Sequence, residues 1–112
     1  MLENKVKPIV ELKNLDVVVN TKNVDELNDL MKICELYGKI NWPLSKSPIE
    51  DVASKQRIAK YGENTCICFN QGTRLTWGPK HIYLKTLSFQ EFCELNNITE
   101  EKLNEIKIYF EN

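Results

Sequence analysis

Residues 63–85 read ENTCICFNQGTRLTWGPKHIYLK, and how this stretch folds decides the rest. Thr65, Ile67 and Phe69 alternate with Cys66 and Cys68, so the two sets occupy opposite faces of a strand. Leu75 and Trp77 then share a face of a second run, and Ile82 and Leu84 a face of a third. Gln71-Gly72 and Gly78-Pro79 stand between the runs as turn dipeptides. Period-two alternation, β-forming residues and intervening turns predict an antiparallel meander of three strands.

Helices and strands on either side complete the pattern. Pro8 excludes a helix near the start, residues 1–8 are expected to fray, and Ile9, Val10 and Leu12 are read as a short edge strand. Leu15 to Asn20 (LDVVVN) is almost wholly apolar, as an interior strand requires. Asn23 with Glu26 three residues on caps a helix carrying Val24, Leu27, Leu30, Met31, Cys34 and Tyr37 on one face, and Gly38 ends it. Lys39 to Trp42 resumes an extended run. Ser47-Pro48-Ile49-Glu50 starts a second helix expected to stop at Tyr61-Gly62. Ser88 with Glu91 caps a third, with Phe89, Phe92, Cys93 and Leu95 inward, and Asn96-Asn97 breaks it. Thr99 caps a last helix with Leu103, Ile106 and Phe110 at helical spacing. Ile106, Ile108 and Phe110 also alternate, but helix is the preferred reading of that end.

The expected fold is a single α+β domain spanning residues 1–112. It holds a twisted, mainly antiparallel sheet of about five strands, with three or four helices packed on it. A length of 112 residues and a hydrophobic fraction of 42% suit one domain with one core. A net charge of −1 exerts no global pull on nucleic acid or membrane. Charge is nonetheless polarised: residues 54–85 carry six basic groups against Glu63 alone, whereas residues 86–112 carry six glutamates against Lys102 and Lys107. No signal peptide or membrane span is read, and Cys34, Cys66, Cys68 and Cys93 are expected to be reduced thiols in the cytoplasm.

Signs of chemistry are few. Cys66-x-Cys68 with His81 falls short of the two closely spaced ligand pairs that zinc sites use. His81 is the single histidine, so any cysteine–histidine catalysis has to use it, and no orienting partner is identifiable. The acidic pairs Asp25-Glu26, Glu50-Asp51 and Glu100-Glu101 sit in first helical turns, where the helix dipole accounts for them. No glycine pattern marks a phosphate loop. The two helices around Asn96-Asn97 have the outline of a helix-turn-helix, but the second opens on Thr99-Glu100-Glu101, which repels phosphate. The candidate binding face is Arg74, Trp77, Lys80, His81 and Tyr83, with Lys55, Arg57, Lys60 and Tyr61 from the preceding helix. Cations interleaved with aromatics suit an acidic protein surface, a nucleotide or a single strand.

Val19-Asn20, the helix from Asn23 to Leu30, Gly38, Trp42, and the Tyr61 to Cys66 strand leading into a hairpin form a frame over roughly residues 15–78. That frame resembles small accessory proteins of phages and prophages in low-GC Gram-positive bacteria. The resemblance implies no site residues and no cofactor. It implies a context, in which such proteins bind and block a host enzyme or a defence complex such as a CRISPR effector. The expectation is a non-enzymatic inhibitor in the host cytoplasm, monomer or homodimer, whose partner is a host or defence protein, with nucleic acid not favoured. The alternative is a protein that sequesters a small molecule or nucleotide on the basic-aromatic face of residues 63–85.

Overall fold

A computed structural model describes residues 6–39, 61–69 and 76–111. Their order is β1 (Val18–Thr21), α1 (Val24–Tyr37), β2 (Thr65–Cys68), β3 (Thr76–Pro79), β4 (Leu87–Ser88), α2 (Phe89–Leu95) and α3 (Glu100–Phe110). Single 3₁₀ turns, Gly62–Asn64 and Lys80–Ile82, precede β2 and follow β3.

The architecture is α+β, as expected, but the sheet is mixed. Among the described residues it has four strands in the order β3-β2-β1-β4, near the expected five, with two antiparallel pairings and one parallel one. β1 pairs antiparallel with β2, Val19 opposite Ile67, and β2 pairs antiparallel with β3, Ile67 opposite Trp77. β4 runs parallel to β1 over Val19–Leu87 and Asn20–Ser88 only.

The meander is corrected at its third strand. Gly78 and Pro79 do not turn the chain; they lie within β3, opposite Cys66 and Thr65. Proline has no N–H to continue a ladder, and the chain leaves the sheet there. The Tyr83 N–H then donates to the Lys80 carbonyl (3.2 Å), closing a 3₁₀ turn where a strand was expected. Ile82 and Leu84 therefore face solvent.

α1 forms as its sequence dictates. The Glu26 N–H donates to Asn23 Oδ1 (2.9 Å), and Gly38, at φ +70°, donates its N–H to the Cys34 carbonyl (3.0 Å). Glu26 accepts from the Lys22 N–H (2.9 Å), one residue before the position a strict capping box uses. Leu27, Leu30, Met31 and Cys34 are buried, and Val24 is exposed. α2 has the complete box: the Glu91 N–H donates to Ser88 Oγ (3.0 Å) and the Ser88 N–H to Glu91 Oε1 (2.9 Å). Leu95 points outward, contrary to expectation, because helical rotation carries it off the stripe that Phe89, Phe92 and Cys93 share. Thr99 caps α3, so residues 106–110 are helix and not strand.

The three described helices bury their apolar stripes in one cluster with Val19 and Ile67 of the sheet and with Phe69, which follows β2. Phe69 and Phe92 stack at its centre, and Lys107 of α3 meets Asp29 of α1 at 3.4 Å. Residues 6–15 form no edge strand. They have no regular secondary structure, with Pro8, Val10 and Leu12 buried and Ile9 exposed. Tyr61 has helical backbone and Gly62 turns at φ +57°, where a helix stop was expected. The rest of that helix, the run beyond Lys39 and the Gln71-Gly72 turn lie outside the described residues.

Candidate interaction site

Asn20, Cys66 and Gly78 lie side by side across β1, β2 and β3, on the sheet face away from the main cluster. Asn20 is buried, and its Nδ2 donates to the carbonyls of Glu63 (2.9 Å) and Thr65 (3.1 Å) and approaches Cys66 Sγ at 3.8 Å. This pins the turn before β2 to β1. The end of the row is bare because Gly78 has no side chain, and Tyr83 fills that space. A Cβ at Gly78 would stand 2.6 Å from Tyr83 Oη and 2.8 Å from Ile82 Cδ1, both inside contact distance.

Glycine is thus needed here for room, and the tyrosine seat fixes the loop that follows β3. Gly78→Ala is expected to displace Tyr83 and Ile82 and to cost about 1–3 kcal/mol, the usual penalty of overpacking. Urea titration followed by near-ultraviolet circular dichroism reads both effects. An unchanged midpoint with an unchanged tyrosine signal would mean that the seat is loose.

Burial pushes the Tyr83 phenol above its ordinary range, and the neighbouring Cys68, Cys66 and Tyr61 add to the shift. Burial likewise raises the Cys66 thiol, against smaller opposing pulls from the Asn20 hydrogen bond and the Lys80 ammonium. Both groups stay neutral at neutral pH.

Outside this seat the chain projects. Ile82 is 58% exposed and Leu84 fully exposed, between exposed Lys80, His81 and Lys85. Behind the projection lies a shallow recess of about 410 Å³ lined by Asn64, Lys80, His81, Tyr83, Leu84 and Thr86. Of the residues expected to bind, Lys80, His81 and Tyr83 come together here, and Tyr61 reaches Tyr83 electrostatically. Trp77 contributes backbone to β3, while Lys55, Arg57, Lys60 and Arg74 lie outside the described residues. Asn64 and Thr86 were missed, being polar residues with no motif around them. Ile82 and Leu84, expected on a strand face, instead project from the loop.

A larger open groove, about 580 Å³, runs between β1 and the chain entering β4, lined by Asp16, Val17, Val18, Cys68, Lys85, Thr86, Leu87 and Leu95. Its lining charges are opposite in sign, and it lacks convergent polar groups that would orient a ligand. Among the described residues no three His, Cys, Asp or Glu side chains are grouped to hold a metal, and no helix is long and apolar enough to cross a membrane.

Three of the four thiols are inaccessible. Burial raises Cys34 far above the normal thiol range. Cys93 is pushed up to about 12, first by burial and then by Asp29, Glu26 and Glu94. Cys66 is fully buried and Cys68 only half-buried. Iodoacetamide is therefore expected to label Cys68 well before the other three in the native protein, since alkylation needs an accessible thiolate. Peptide mapping after timed quenching checks this, and early labelling of Cys66 would show that the Tyr83 seat opens.

No family model, no curated protein and no solved structure matches this chain.

Proposed function

We propose that this protein is a non-catalytic inhibitor of phage or prophage origin that docks on a host enzyme or antiviral complex, such as a CRISPR effector. The observation that carries the docking mode is the Lys80–Lys85 loop. Leu84 is fully exposed and Ile82 more than half so, between basic groups, on a loop braced by Tyr83 and the tip of Ile82 against Gly78. Exposed apolar residues that sit together in a held conformation mark contact surfaces, because a preorganised loop loses little freedom on binding. The phage context rests on the residue frame over positions 15–78.

The test is capture of partners from a low-GC Gram-positive host lysate by the tagged chain, with and without nuclease, beside an Ile82→Ser/Leu84→Ser variant. One dominant partner that resists nuclease and is lost with the variant supports the reading. Recovery that vanishes with nuclease, or that the variant retains in full, overturns it. A rise in melting temperature with a member of a nucleotide panel would transfer the assignment to ligand sequestration.

A further inference from the structure

We propose that the recess beside the loop receives a carboxylate side chain of the partner, so that the docked segment combines acidic and aliphatic residues. This rests on the docking assignment above and names the partner's chemistry.

The lining supplies donors from three separate places in the chain: the Asn64 amide, the Lys80 ammonium with the His81 ring, and the Thr86 hydroxyl. No carboxylate belongs to its described lining. Lys80 makes no salt bridge among the described residues, where the bridges are Lys102–Glu105 and Lys107–Asp29. The Cys66 thiol near it is held neutral by burial and supplies no counter-charge. Lys85 differs in place: it lines the larger groove beside β4 and does not belong to the recess. Lys80 is accordingly the loop cation left for a ligand, and a carboxylate meeting several donors at once is the strongest match for it.

The apolar half of the surface selects a protein over a nucleic acid. Single strands are held by stacking bases on exposed aromatic faces. Here Tyr83 is packed over Gly78, and the loop's exposed apolar groups are the aliphatic Ile82 and Leu84. Aliphatic side chains enter apolar pockets of a partner and do not stack. A central aliphatic contact rimmed by donors follows the usual layout of a protein interface.

The probe is a fluorescein-labelled peptide of alternating leucine and aspartate, with matched peptides carrying lysine for aspartate or serine for leucine. Anisotropy titrations use the full chain at low and raised salt. The leucine–aspartate peptide is expected to bind, both controls to fail, and Lys80→Glu and Lys80→Ala to weaken binding, the charge reversal by about tenfold or more. Lys80 is exposed, so its variants should keep the wild-type melting temperature. Absence of binding by the acidic peptide, equal binding of the lysine peptide, or indifference to Lys80→Glu would overturn the inference. So would oligothymidylate displacing the peptide completely, which would make phosphate the ligand. Partner capture that is lost with the Ile82/Leu84 variant yet retained by Lys80→Glu would sink the carboxylate site alone and leave the docking assignment standing.

Discussion

Phe92→Ala is expected to remove about 3–5 kcal/mol of stability, a large share of what a domain of this size possesses. Phe92 and Phe69 are both fully buried, their rings parallel within 5° and 5.4 Å apart. Phe69 follows β2 and Phe92 sits mid-way along α2, so the stack joins the sheet to the α2–α3 end of the molecule. α2 has only seven residues and buries Phe89, Phe92 and Cys93. A helix that short has no independent stability and exists through its tertiary contacts. Truncating Phe92 leaves a ring-sized void and removes the main reason for α2 to stay on the sheet. Phe69→Ala is expected to cost a similar amount. The double variant should cost less than the two single losses together, by about 1 kcal/mol for the aromatic pair. Urea denaturation followed by far-ultraviolet circular dichroism measures all three. A loss below about 1 kcal/mol for Phe92→Ala would mean that the void closes without penalty and that α2 is held elsewhere.

The parts of this fold that were legible are those whose cause is local. Asn23, Gly38, Ser88 with Glu91, and Thr99 each act on backbone groups three or four positions away, and each cap stands where its residues placed it. The apolar run ending at Asn20 is interior, with β1 between β2 and β4. Illegible features depend on distant pairings. β4 is two residues long and parallel, and nothing in Leu87-Ser88 announces a partner at Val19-Asn20. A nearer contact is illegible too: Ile82 and Leu84 alternate like strand residues, yet the conformation there depends on Tyr83 taking the space over Gly78, five positions back, which periodicity does not encode. The same limit applies to the site. Lys80, His81 and Tyr83 stand out as basic groups and an aromatic in one short run. Asn64 and Thr86 are brought to them by the turn before β2 and by the entry to β4.

Asn96 is the second position where a single substitution is expected to act strongly, and its role was half visible. Its sequence marks a helix breaker, and the chain does turn there, with Asn97 at φ +58°. Its larger task is to hold a segment over 80 positions away: Oδ1 accepts from the backbone N–H groups of Lys13 (2.9 Å) and Asn14 (3.1 Å), |i−j| being 83 and 82. Nδ2 donates to the Phe92 carbonyl (3.2 Å) within α2. Asn14 returns the link through its own Nδ2 to the Leu95 carbonyl (3.2 Å). Residues 6–15 have no ladder of their own, so these bonds and the buried Val10, Leu12 and Leu15 hold them in place. Asn96→Ala deletes three hydrogen bonds at a site 7% exposed and leaves two backbone donors without an acceptor, a loss of about 3 kcal/mol. Asn96→Asp keeps the acceptor for Lys13 and Asn14 but sets a carboxylate oxygen against the Phe92 carbonyl and buries a charge, so it should also destabilise, and less at low pH, where the neutral acid can still donate. Hydrogen exchange gives the sharper readout. In Asn96→Ala the amides of Lys13 and Asn14 should lose protection while those of α1 keep most of theirs, because the anchor fails before the core does. Uniform loss of protection across both segments would show instead that the N-terminal segment and the core unfold as one unit.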